Sequence, residues 1–230
     1  MSVSSEIRAG LIDIAPPALA AVPIGFLFGA VATSKGLSVA EVFLMSTSVF
    51  AGGAQFAAIE QWTKPAPILA LAFGTLLINA RHILMGASLA PKTGLFAPWQ
   101  RFLGFFAMAD ENWALSERRA GVSRLTPAYY FAMTVSFYLN WLVWSTAGAL
   151  IGPWLGDPAR FGADFAFTAL FIGLIAGFWK GRASAAPIIA SGLVAALVKV
   201  TVGAPWYVPA GALAGIAAAW LAADEQEVLA

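Results

Sequence analysis

The sequence contains no cysteine, which excludes disulfides, thiolate nucleophiles and thiolate-bound metals. It holds a single histidine, His82, too few for a multi-histidine metal centre, so neither a metal nor a cofactor is expected. Charge is scarce as well: Asp, Glu, Lys and Arg make up 11% of the chain, against roughly 25% in ordinary soluble domains. The net charge is only +1. With no basic patch or tail to neutralise phosphates, nucleic acid is not expected as a partner. The first twenty residues lack a basic stretch, and Pro16 and Pro17 interrupt their apolar run, which argues against a cleaved signal peptide.

What fills the chain is apolar: 60% of its 230 residues are hydrophobic and the mean hydropathy is +0.79. In water such a domain would expose large greasy patches, so the surrounding solvent is read as a lipid bilayer. Runs long enough to approach the roughly 20 residues of a spanning helix cover Ile7–Thr33, Val39–Trp62, Pro65–Ala90, Trp99–Glu117, Pro127–Ile151, Phe165–Trp179, Ala183–Val202 and Trp206–Ala223. The expected fold is therefore an all-α polytopic membrane bundle of eight transmembrane helices, or seven if the short Phe165–Trp179 run is set aside. No connection is long enough to hold a soluble domain, so residues 1–230 read as a single integral membrane domain. With eight spans the N-terminal side collects Arg8, Lys64, Arg118, Arg119, Arg124, Lys180 and Arg182, and the positive-inside rule puts both termini in the cytoplasm. Ala32–Ala51 can also be laid over Gly177–Ala196, matching Lys35-Gly36 with Lys180-Gly181; copies separated by an odd number of spans would form an inverted repeat, a transporter signature.

Polar residues interrupt the runs at a few places. A helix from Pro65 that stopped at Asn79 would rise only about 22 Å, short of a hydrocarbon core of roughly 30 Å. It is expected to run past Arg81, leaving Asn79 near mid-membrane; alternatively it stops short and Arg81 snorkels to the interface. In Phe50–Phe56, "FAGGAQF", the paired glycines either make a small-residue packing face or mark a helix that unwinds and frees amides, with Gln55, to hold a substrate. Asp110 and Glu111 sit midway along Trp99–Glu117, where charge is costly, so this run borders a polar cavity, pairs with a cation such as Arg81, or dips in partway. Asn140 reads as interhelical glue and Lys199 as a snorkelling residue.

Pro23–Trp62, then "INARHILMGASLAP", then "ADENWAL", in that order and spacing, closely resemble the AzlC-like large subunit of bacterial branched-chain amino acid exporters. The resemblance implies a secondary exporter of leucine, isoleucine, valine and sometimes methionine in the bacterial cytoplasmic (inner) membrane. It also implies a separate small AzlD-like membrane subunit as partner.

Residue roles rest on the chemistry of a zwitterion, both of whose charges need compensation in lipid. Arg81, or the loosened amides around Gly52, Gly53 and Ala54 with Gln55, would meet the carboxylate, and Asn79 is a further substrate-binding candidate. Asp110 or Glu111 would meet the ammonium, and one of these acids, its charge disfavoured by burial, would carry the coupling proton. Phe50, Phe56 and Met85 would support the aliphatic side chain. A passive channel is the alternative. An intramembrane enzyme built on Ser88 is disfavoured, because the sole histidine lies six residues upstream on the same run.

Overall fold

The computed structural model describes residues 2–155 and, of the remainder, 165, 172–173, 175–176, 179, 181–203 and 206–222. Most of the expected Phe165–Trp179 run lies outside the described residues. Among the described residues the structure is helical, without strands: α1 Val3–Ser34, α2 Val39–Val49, α3 Gly52–Glu60, α4 Ile68–Asn79, α5 Arg81–Leu89, α6 Pro98–Phe106, α7 Asp110–Val122, α8 Pro127–Leu155, α9 Arg182–Thr201 and α10 Tyr207–Ala222.

The framework is the pair α1 and α8. Gly10 lies against the Tyr129 carbonyl, Gly29 against that of Ser145, and Gly148 against that of Phe26, so the two helices run parallel with main chain touching main chain. A Cβ at Gly29 or Gly148 would overlap a backbone atom, which is why glycine stands there. Helix α1 continues through Pro16, Pro17 and Pro23. Asn140 of α8 donates to the Ala18 carbonyl in this proline-rich stretch (3.0 Å), the interhelical role expected of it.

Between α1 and α8 the chain does not simply cross and recross. Helix α2 starts from a Ser38–Glu41 capping box and ends at Phe50, whose φ of 38° is left-handed. The Phe50 ring packs against Phe137 and Tyr138, partway along α8. Helix α3 then turns back: Gln55 Nε2 donates to Ser46 Oγ at 3.2 Å, and Lys64, beyond α3, donates to the Gly36 carbonyl at the far end of α1 (2.8 Å). A nine-residue helix rises about 13 Å, so α3 can bring Lys64 to Gly36 only by returning to the end from which α2 came. The run Val39–Trp62 is thus a re-entrant hairpin, and the expected span is corrected.

The run Trp99–Glu117 doubles back in the same way from the opposite end. Before and within α6, Phe96 and Trp99 lie against Phe131, near the start of α8. The chain turns at Ala107–Ala109, and α7 returns to pair Arg119 with Glu6 (2.8 Å), Arg118 with Asp13 (3.5 Å) and Glu117 with Lys92. Asn112 holds the turn by accepting from Ala109 N (2.8 Å) and donating to the Ala107 carbonyl (3.0 Å). Only α4–α5 crosses between the two hairpins. Interrupted at Ala80, it runs from the α3 end, where Gly74 adjoins Gln61, to Ser88, which bonds Trp113 and Glu117. Its 22 residues give about 33 Å, enough to traverse the core.

The expected inverted repeat lays Ala32–Ala51 over Gly177–Ala196, the latter partly outside the described residues. The helix aligned with α2 by the Lys180-Gly181 match is α9, which runs unbroken to Thr201. The two hairpins enter from opposite ends, and at an offset of 58 positions Gly36-Leu37 of the first falls on Gly94-Leu95 and its Phe50-Ala51 turn on Met108-Ala109 of the second. The doubling back also moves Lys64 away from the N-terminal side expected for it, and brings Lys92 and Arg101 to that side. Over residues 2–155, Arg8, Lys92, Arg101, Arg118, Arg119 and Arg124 gather at the α1 N-terminal end, and Lys35 and Lys64 at the other. Helices α9 and α10 form an antiparallel pair, with Gly211 and Gly215 against Ser191, and Trp206 reaches Phe73 of α4. By length and apolar composition Val3–Ser34 and Ser184–Thr201 qualify as membrane spans, so a count of seven or eight does not emerge from the described residues.

Candidate functional site

Three interruptions converge at mid-depth: the α2–α3 turn, the α4–α5 joint and the α6–α7 turn. They enclose a cavity of about 80 Å³ whose remaining wall comes from α1 (Ala21, Ile24) and α8 (Phe137, Trp141). The sequence explains why the backbone breaks here. Phe50 closes α2 in a left-handed conformation, and Gly52 lets the Trp141 ring approach closely, since a Cβ there would sit 3.0 Å from it. Asp110 and Glu111 occupy the first turn of α7, where the positive end of the helix dipole favours acids.

Two kinds of polar group face the cavity. Helix α3 begins with no side-chain cap, so the amides of Gly52 and Gly53 have no carbonyl within their helix to take them. The second group is charged. Arg81 Nε lies 3.0 Å from Asp110 Oδ1, but its N–H is not aimed at that oxygen, so the contact is an ion pair more than a hydrogen bond. Glu111 belongs to none of the ion pairs among the described residues. His82 also lines the cavity, with Nδ1 3.1 Å from the Asn79 carbonyl and Nε2 3.2 Å from the Met108 carbonyl.

Of the residues singled out in the sequence, Phe50, Gly52, Gly53, Arg81, Asp110 and Glu111 line this cavity together. Gln55, Phe56, Asn79 and Met85 do not. Gln55 is fully buried, its Oε1 accepting from Trp141 Nε1 at 2.8 Å while its Nε2 serves Ser46, so it fastens the hairpin. Phe56 packs edge-on to Phe28, Met85 is in the core, and Asn79 offers its carbonyl to His82 while its own Oδ1 is buried without a partner. Sequence reasoning missed Ile24, Phe137 and Trp141, ordinary span residues until the hairpin turns are placed beside them, and gave His82 no role. Ser88, the serine weighed as a nucleophile, donates to Glu117 and Met85 and accepts from Trp113; its hydroxyl makes no hydrogen bond to His82.

Residues 16–155 match the family described as AzlC protein. Among curated relatives, the chain is 31% identical over 184 residues to an uncharacterized membrane protein of Archaeoglobus fulgidus, covering 79% of this chain and 80% of the relative. It is 30% identical over 191 residues to the branched-chain amino acid transport protein AzlC of Bacillus subtilis (81% and 74%). It is 26% identical over 234 residues to the inner membrane protein YgaZ of Escherichia coli (96% and 90%). No solved structure matches.

Proposed function

The chain belongs to the AzlC family of membrane transport proteins, and from that premise we propose that it exports branched-chain amino acids across the cytoplasmic membrane in exchange for protons. Leucine, isoleucine and valine are the substrates in this reading, with methionine as a further one. A small AzlD-like subunit completes the permease.

The observation that carries the reading is the cavity's pairing of opposite recognition elements. Amides at the uncapped α3 N-terminus suit a carboxylate. Glu111, with no cation of its own, suits an ammonium; Arg81 and Asp110 largely neutralise each other. Ile24, Phe50 and Phe137 supply an apolar wall for an aliphatic side chain. Size supports a single amino acid: one water needs about 10–15 Å³ by the measure in which the cavity is about 80 Å³, so roughly five to eight waters' worth of space is present. That is too little for a peptide. Asp110 and Glu111 are the acids through which the coupling proton would pass.

The test is efflux from cells fed leucine-, valine- or methionine-containing dipeptides, with and without this chain and its small partner, under an imposed proton gradient. Uphill efflux that requires both chains is expected. No efflux would refute the reading. Flux that ignores the gradient and never runs uphill would make the protein a passive channel.

A further inference from the structure

His82 is the one titratable group of the cavity without a role in the reading above, and its two ring nitrogens face the same kind of partner. Nδ1 is 3.1 Å from the carbonyl of Asn79, the last residue of α4. Nε2 is 3.2 Å from the carbonyl of Met108, just past α6. Carbonyl oxygens only accept hydrogen bonds. A neutral imidazole carries one N–H, so one of its nitrogens would turn a lone pair towards a carbonyl oxygen; the imidazolium, with two N–H groups, satisfies both. The helix dipoles decide nothing here, because the two carbonyls lie at the C-terminal ends of α4 and α6 while the ring stands in the first turn of α5, beside the start of α7.

The charged neighbours of the ring are few. The charged and titratable side chains facing the ring are Arg81 from its own helix and Asp110 and Glu111 from α7; the α2–α3 turn and the walls from α1 and α8 contribute none. Arg81 and Asp110 largely offset each other, so Glu111 decides the charge that the ring meets: ionised, it balances an imidazolium.

We propose that His82 is a proton-binding site, charged in this conformation, and that its imidazolium ties the α6–α7 turn to the α4–α5 joint. Loss of the proton leaves one of the two carbonyls without its donor and loosens the turn. The inference rests on the transport reading for what the proton accomplishes, while its test involves no transport.

Because the chain has one histidine, a ¹⁵N-histidine-labelled full chain in lipid nanodiscs gives one imidazole signal. The expected result is two near-equivalent protonated nitrogens at the acid end of a titration from about pH 5 to about pH 8, changing to one protonated and one bare nitrogen at the alkaline end. Hydrogen exchange of residues 106–112, corrected for the intrinsic effect of pH, loses protection over the same interval. In His82→Gln that step is absent. A ring that keeps one protonation state throughout, or protection that does not follow the ring, overturns the proposal. A chain that titrates as expected yet moves no branched-chain amino acid leaves the site standing and refutes the transport reading alone.

Discussion

Arg81 and Asp110 are each the first residue of a helix, α5 and α7. The position suits the acid and not the base, because a helix N-terminus carries a partial positive charge. Their dependence on each other is therefore unequal. Removing Asp110 leaves a guanidinium against two positive helix ends, whereas removing Arg81 leaves a carboxylate that α7 still stabilises. Breaking a fully buried pair costs about 3–5 kcal/mol. These side chains are 32% and 20% exposed, so Asp110→Asn is expected to cost about 2–3 kcal/mol and Arg81→Gln about 1 kcal/mol, read as thermal unfolding in detergent. The reverse order would contradict this account. Glu111→Gln behaves differently: it removes a charge that has no cation, so the melting temperature should hold or rise while leucine export is lost. A mutant that exports normally would remove Glu111 from the site. These charged residues were legible in the sequence because charge inside an apolar run demands a reason. Trp141 and Phe137 were not, since nothing distinguishes a cavity wall from a lipid-facing aromatic until the chain is folded.

At the level of elements, hydropathy reports how apolar a segment is and not which way it travels. Val39–Trp62 has the composition of a span, yet its two halves lie side by side, and the paired glycines announced the interruption without revealing the reversal. The clearer sign was in the other hairpin: two acids in succession, the pattern of a helix start, falling in the middle of what composition offered as one helix. The length of Pro65–Ala90, by contrast, favoured a run past Arg81 over a short helix with a snorkelling arginine, and the chain does continue, as α5. Two measurements probe the packing of these elements. Gly29→Ala drives a methyl into the Ser145 carbonyl, a backbone atom that cannot step aside, and should lower stability by about 1–3 kcal/mol or more. Gly86→Ala on α5, where no atom lies within 4 Å, should be neutral or mildly stabilising by up to about 1 kcal/mol. Equal losses in detergent melts would refute the close approach of α1 and α8. Gln55→Leu removes the acceptor for Trp141 and the donor to Ser46; Ser46 keeps its bond from Ser145, while the buried Trp141 N–H loses its acceptor at about 1–3 kcal/mol. It should slacken the α2–α3 turn, visible as faster hydrogen exchange over residues 50–56; unchanged exchange would mean the glutamine is not its fastening.

For the molecule as a whole, the absence of cysteine makes topology directly measurable. Single cysteines at Ser34 and Thr63 flank α2–α3, and at Gly94 and Ser123 flank α6–α7. With both runs doubled back, a membrane-impermeant maleimide should label the first two from one face and the last two from the other. Labelling of Ser34→Cys and Thr63→Cys from opposite faces would restore the reading of that run as a span. The six basic residues at the α1 N-terminal end against two at the other predict that Gly94 and Ser123 face the cytoplasm. The contact between α1 and α8 bears on how such a protein works. Two helices that meet backbone to backbone can neither roll nor slide past each other without collision, so the pair acts as a fixed post. In the proposed transport reading, opening of the central chamber to alternate faces falls to the short half-helices leaning against that post, in place of a swing of one half of the molecule about the other.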